Sequence, residues 1–396
     1  MIAVLAPGQG AQSPGMFTPW LELPGVEEKV VRYGELAGLD LIRLGTEADA
    51  DEIRDTAVTQ PLIVALGVVA AGELGLLASG TDDGSSAVVV AGHSVGELTA
   101  AAIAGVLRPE VAVAFAARRG AEMAAACGLT PTGMSAVLGG EPDAVLAGIA
   151  AAGLTPANRN GTGQVVAGGS LDALAALAAD PPGGARVRPL AVAGAFHTNY
   201  MAPAEQALAG YVSTLGAPDP SHLLLSNADG TGLSDGPTIL DRLVRQVTRP
   251  VRWDLCQHTL GDLEVSAAIE LPPAGTLIGL AKRALPDIEL LAVKTPADLA
   301  SALVMIASRP QHGQGEHTPE FQVVVTPVKG IFTRAEAVDE GSAIVRGARL
   351  GTVRTNRDEH PIIAPDTGVL VEWLRNDNDI VAAGLPVARL HNHSEV

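Results

Sequence analysis

The sequence predicts an α/β protein: a mostly parallel sheet covered by helices, a compact βαββαβ insertion, and a small all-β domain near the C-terminal end. Three observations lead there. Short apolar runs alternate with Ala-rich helical stretches up to about Cys127 and again from His197 to about Ala307, the pattern of a sheet wound with helices. Six closely spaced elements fill residues 134–196. Beyond 320 the helical period disappears, and short Val- and Ile-rich runs alternate with Gly or Asp turns up to about Leu390.

In chain order, residues 2–6 and 87–91 read as buried strands, and 60–78 and 95–104 as helices. The insertion reads as strand 135–139, helix 142–152, strands 155–159 and 164–168, helix 171–179 and strand 187–193, with Pro181-Pro182-Gly183-Gly184 ending its second helix. That order matches a ferredoxin-like unit. The polar, Gly- and Pro-containing stretch 308–319 is a linker by composition, and its His312 and His317 are too isolated to suggest a metal site. Domains are therefore expected at 1–307, with the insertion at about 130–196, and at 320–396.

Composition sets limits on function. Apolar residues make up 47% of the 396 and aromatics only 3%, so the cores must be built from Ala, Val and Leu. A net charge of -18 argues against binding nucleic acid or anionic membranes, so an acidic ligand needs a local basic site. Cys127 and Cys256 have no metal or redox spacing and read as small buried hydrophobes. The N-terminus lacks the basic start and long apolar stretch of a signal peptide. No uninterrupted apolar run reaches the ~20 residues of a membrane span, so a cytoplasmic location is expected.

Gly92-His93-Ser94-Val95-Gly96 fits the nucleophile elbow Gly-x-Ser-x-Gly, between a predicted strand and a predicted helix. Ser94 would sit on a strained turn where only Gly admits neighbouring backbone, with helix N–H groups aimed at any oxyanion. A serine nucleophile needs a base. Of nine His, His93 adjoins the turn and points elsewhere; His312, His317, His391 and His393 lie in linker or tail, and His360 in the β domain. His222 and His258 sit in polar stretches without a motif. His197 follows a buried strand and opens a loop, the better place for a catalytic group. Arg119 either binds an anion or caps a helix end, a role Gly120 would also suit.

Gly8-Gln9-Gly10-Ala11-Gln12, the elbow with Glu97, Arg119-Gly120, Asn158-Arg159-Asn160-Gly161-Thr162-Gly163-Gln164 and Gly194-Ala195-Phe196-His197-Thr198 occur in this order. Together they resemble the bacterial malonyl-CoA:acyl-carrier-protein transacylases of type II fatty-acid and polyketide synthesis, over residues 1–307. The resemblance implies a hydrolase-like α/β core and ping-pong transfer of malonyl from malonyl-CoA to the phosphopantetheine thiol of an acyl carrier protein. It assigns Ser94 as nucleophile, His197 as base oriented by the backbone carbonyl of Gln246, and the N–H groups of Gln9 and Val95 as oxyanion hole. Arg119 would grip the malonyl carboxylate, Phe196 would narrow the pocket against a methyl branch, and Asn158, Asn160 and Gln164 would organise the loop beside it. No metal or cofactor is implied. Leu271-Pro272-Pro273-Ala274-Gly275-Thr276-Leu277 departs from the glycine-richer turn of the family. Arg186, Arg188, Arg249, Arg252, Lys282 and Arg283 are candidates for a basic patch facing an acidic carrier.

Thr326-Pro327-Val328-Lys329-Gly330, 347–353 and 363–370 resemble the biotinyl/lipoyl carrier fold, a flattened barrel with a modified Lys on its central hairpin. Arg357 stands at that position, and the only Lys of the domain is Lys329, so no biotin or lipoate is expected. Docking a carrier or carboxylase component, or another copy, is the residual role. Two other classes stay open: a serine thioesterase or hydrolase using the same dyad, and a scaffold acting through the β domain.

Overall fold

Ile2–Ala6 is apolar at every position and buried along its length, as a strand covered on both faces must be. Ile2 and Val4 enter one core cluster, Ala3 and Leu5 another, so the period of two sends alternate side chains to opposite faces. In the computed structural model, which describes residues 1–77, 88–161, 163–307, 321–335, 338–355, 358–364, 367–383 and 385–392, this strand is central to a six-stranded sheet. The order is Glu289–Ala292, Ala267–Glu270, Ile2–Ala6, Val88–Gly92, Leu223–Leu225, Gly232–Leu233, with Val4 opposite Val90 and Ile269. Five strands run parallel, in keeping with the mostly parallel sheet expected. The last pair is antiparallel, because the turn closed by Ser226 N–H donating to the Thr231 carbonyl is too short for a crossover.

The helix Thr56–Glu73 fills the larger core and packs on Pro109–Cys127. It is long and apolar enough to cross a membrane, yet 78% of it is buried inside the fold, the mark of a core helix. Against the expected 60–78, it starts a turn earlier, where the Asp55 side chain accepts from the Ala57 N–H. It ends at Glu73, just before Gly75 takes a left-handed conformation.

The insertion follows the expected βαββαβ order. Its antiparallel sheet runs Thr155–Arg159, Gln164–Ser170, Thr132–Leu138, Arg186–Pro189. The Glu141 side chain caps Pro142–Ala151 through the Ala144 N–H, and Ser170 caps Leu171–Ala179 through the Ala173 N–H. The last strand is shorter than the expected 187–193. Its pairing stops with Pro189 opposite Ser135, and Leu190, Ala191 and Val192 turn to line the main cleft. Cys256 is buried as expected, whereas Cys127 is only half-buried.

Met1–His312 and Gly313–Val396 are two compact units. The second holds two four-stranded antiparallel sheets. Phe332, Leu350, Val353, Leu370 and Leu390 form its core. The linker at 308–319 and Arg357 lie outside the described residues.

Candidate active site

Ser94 sits between the strand Val88–Gly92 and the helix Gly96–Ile103 with φ of 55°, left-handed for a non-glycine residue. The flanking glycines make that turn possible. A Cβ on Gly92 would lie 2.0 Å from the Gly96 carbonyl carbon, and one on Gly96 would lie 2.2 Å from the Ala6 carbonyl oxygen. The turn is clamped by Asn227: its Oδ1 accepts from the Ser94 N–H at 2.7 Å and its Nδ2 donates to the Gly92 carbonyl at 2.7 Å. The Asn227 N–H in turn donates to the Glu97 carboxyl group at 2.7 Å. Burial pushes the Glu97 pKa up to about 8, against the Asn227 hydrogen bond, which lowers it.

His197 also has positive φ, 61°, which turns its ring onto the nucleophile. Its Nε2 lies 2.8 Å from Ser94 Oγ and its Nδ1 lies 2.9 Å from the Gln246 carbonyl oxygen. A carbonyl only accepts, so Nδ1 carries the proton and Nε2 presents its lone pair to the serine hydroxyl. Burial first, then the positive charge of Arg119, hold His197 down to about 3, so the ring is a neutral base at pH 7. His93 faces away: its Nε2 donates to Asn160 Oδ1 at 2.9 Å, and burial lowers its pKa.

Arg119 is 2% exposed and lies within Pro109–Cys127, not at a helix end, so the capping alternative fails. Gly120 is needed for packing: a Cβ there would lie 2.5 Å from the Thr56 carbonyl oxygen. The neighbouring Arg118 points to solvent and pairs with Glu122 at 2.8 Å. Arg119 donates to Gln60 Oε1 at 2.6 Å, Gln246 Oε1 at 2.8 Å and Ser94 Oγ at 3.3 Å. Burial lowers its pKa to about 10, which leaves it charged at neutral pH.

Ser94, His197, Arg119, Gln60 and His93 line a cleft of about 370 Å³ that also takes in Gln9, Val95, Asn158, Asn160, Gln164, Phe196 and Leu277. Among the described residues, the backbone N–H groups of Gln9 and Val95 have no protein acceptor. Gln164 also borders a second cavity of about 560 Å³ with Arg159, His258 and Arg283. Of the basic-patch candidates, Arg252 is taken by Asp254 at 2.9 Å, while Arg186, Arg188, Arg249, Lys282 and Arg283 are exposed. Among the described residues there is no group of His, Cys, Asp and Glu that could hold a metal.

Gln60, Thr56, Glu97 and Asn227 were missed as contributors by sequence reasoning. For the first two a signal exists, since Thr56, Thr59 and Gln60 are buried polar residues opening an otherwise apolar helix. Asn227 opens the turn that follows the short strand Leu223–Leu225, and nothing in its neighbourhood marks it.

The family model described as acyl transferase domain matches residues 4–320. The malonyl CoA-acyl carrier protein transacylase of Mycobacterium tuberculosis H37Rv is 54% identical over 301 residues, 76% of this chain and 98% of that protein. The crystal structure of MCAT from M. tuberculosis superposes with a TM-score of 0.73 at 53% identity, over 76% of this chain and 99% of that one. A malonyl-transacylase solved with a type II PKS acyl-carrier protein gives 0.69 at 28% identity, over 76% and 98%. A family match over most of the chain and identity at this level over nearly the whole of a relative settle the family: the chain belongs to the acyl transferase family, among the malonyl CoA-acyl carrier protein transacylases.

Proposed function

We propose that this protein moves the malonyl group of malonyl-CoA onto the phosphopantetheine thiol of an acyl carrier protein through a malonyl-Ser94 ester. His197 Nε2 takes the Ser94 hydroxyl proton as Oγ attacks the thioester carbonyl. The oxyanion that forms is received by the Gln9 and Val95 N–H groups. The intermediate collapses as His197 Nε2 gives that proton to the departing sulfur, so CoA leaves as the free thiol and the imidazole is neutral again. The carrier thiol then gives its proton to His197 and attacks the ester, and Ser94 leaves as the alcohol.

The observation that carries the reading is a buried cation beside the nucleophile: Arg119 Nη2 is 3.3 Å from Ser94 Oγ, and its hydrogen-bond acceptors are neutral. An acyl group ending in a carboxylate satisfies it; an acetyl group leaves it unpaired. Phe196, 6% exposed in the cleft, restricts the space for a methyl branch, a preference of ~1–3 kcal/mol. Asn160 contributes by holding His93 in place. The exposed Arg186, Arg188, Arg249, Lys282 and Arg283 are offered as the carrier-facing charges. The core is read as hydrolase-like, and residues 320–396 as an unmodified biotinyl/lipoyl-like domain that docks a carrier or carboxylase component. The two antiparallel sheets support that reading.

Intact-mass analysis after mixing with malonyl-CoA tests the chemistry. One malonyl adduct is expected on Ser94 and none beyond residue 320. An adduct that survives Ser94→Ala overturns the nucleophile assignment, and hydrolysis outpacing transfer with holo-carrier present makes the protein a hydrolase. Arg119→Ala is expected to cut the kcat/KM preference for malonyl-CoA over acetyl-CoA by roughly 100- to 1,000-fold, the scale of a broken buried ion pair. An unchanged ratio removes Arg119 from the carboxylate site.

A further inference from the structure

The acceptors around Arg119 are unusual for a buried guanidinium. Gln60 Oε1 takes Nη1 at 2.6 Å and Gln246 Oε1 takes Nη2 at 2.8 Å, from two different helical segments. Both are neutral amides at positions where one atom's change would give a carboxylate. Glu97 acts on Arg119 only through space. A buried cation is ordinarily paired, because an uncompensated charge in a low dielectric is costly. Here two amides hold the fork in place and leave its charge unspent.

The amide of Gln60 has a fixed direction. Its Nε2 donates to Thr56 Oγ1 at 3.0 Å, and the Thr56 hydroxyl donates to Gln9 Oε1 at 2.8 Å. Gln9 Nε2 then donates to the Arg54 carbonyl at 3.3 Å. Every link donates the same way, from Arg119 through Gln60 and Thr56 to Gln9, so Gln60 presents its oxygen and not its nitrogen to the guanidinium. Thr56 and Gln60, one turn apart on Thr56–Glu73, share the face that packs on the helix of Arg119.

We propose that Gln60 is a specificity-determining residue: with Gln246 it fixes Arg119 by neutral hydrogen bonds, so that the acyl group's own carboxylate supplies the missing counter-charge. The inference rests on the malonyl-transfer reading above. It makes selectivity a property of the residues behind the arginine as well as of the arginine. A carboxylate at either amide position would close an internal ion pair, and an acidic acyl group would then meet a neutralised fork and a like charge beside it.

The test measures kcat/KM for malonyl-CoA and acetyl-CoA in wild type, Gln60→Glu, Gln246→Glu and Gln60→Met. The near-isosteric Gln60→Glu is expected to lower the malonyl-to-acetyl ratio by roughly 100-fold, as a closed ion pair must be broken to admit the substrate carboxylate. Gln246→Glu keeps the backbone carbonyl that serves His197, is expected to do the same, and carries the test if Gln60→Glu does not fold. Gln60→Met removes the anchor but adds no charge; the KM for malonyl-CoA rises a few-fold, and the ratio falls far less than in the carboxylate variants. A ratio unchanged by the carboxylates overturns the proposal. So does a ratio that collapses equally in Gln60→Met, since the role would then be structural. A wild type without malonyl preference overturns the functional reading itself, and with it this inference.

Discussion

At the scale of single residues, the site depends on which charges are left uncompensated. His197 has an ordinary pKa of 6.5 and is held down to about 3 by burial and Arg119. The base is active when neutral, so kcat/KM is expected to stay level from neutral pH down through 6.5. A half-loss of rate near 6.5 would show that the imidazole is not held this way. His197→Ala is expected to lower kcat by roughly a thousandfold or more, the range for removing the base of such a dyad. Ser94 and His197 were readable because each stands in a local motif. The carboxylate role of Arg119 came from resemblance; in the fold a step of one residue around the helix puts its guanidinium in the core and that of Arg118 on Glu122. Gln60 stood out only as a polar residue opening an apolar helix, and Asn227 not at all, since their partners lie 59 and 133 residues away along the chain.

At the scale of elements, close packing sets the geometry. The helices Thr56–Glu73 and Pro109–Cys127 approach at Gly120, where a Cβ would meet the Thr56 carbonyl at 2.5 Å. Helix propensity alone makes Gly→Ala favourable by ~1 kcal/mol, whereas overpacking a core costs ~1–3 kcal/mol. Packing should win: Gly120→Ala is expected to lower the unfolding midpoint and, by moving Thr56 and Gln60, to raise the KM for malonyl-CoA. A variant more stable than wild type would mean the helices separate freely. The element order of the insertion was legible because alternation and Gly or Pro turns are local. The end of its last strand was not, because residues 190–192 turn away to line the cleft although the partner strand runs on to Thr132. Which edge of the mostly parallel main sheet turns antiparallel is not marked in the sequence, since strand direction follows from where a short turn sends the chain.

At the scale of the whole molecule, buried Glu97 links stability to pH. Its folded-state pKa of about 8 lies above the ordinary 4.5, so its protonation favours the folded chain below 4.5, and that advantage is lost as pH rises through 8. Glu97→Gln keeps an acceptor for the Asn227 N–H and does not titrate. Urea midpoints of variant and wild type are expected to agree near pH 4.5, with the variant the more stable above pH 8; a gap that does not widen with pH would show Glu97 ionised in the fold. The division at residue 312 carries its own expectation. The 54%-identical relative is 98% covered by 76% of this chain, so residues 1–312 alone should fold and form the malonyl-Ser94 ester. Loss of labelling in that shortened chain would give the second unit a part in the chemistry.

The sequence by itself determined the α/β class, the βαββαβ insertion, the all-β unit and the elbow with its serine. These follow from periodicity, turn residues and glycine spacing, all properties of neighbours along the chain. Tertiary structure alone decided which polar groups surround the arginine, which amide clamps the nucleophile and which carboxyl group burial pushes up to about 8. The physical reason is that burial and hydrogen-bond partnership are set by what the rest of the chain brings to a position. For Arg119, that is two amides from helical segments nearly two hundred residues apart.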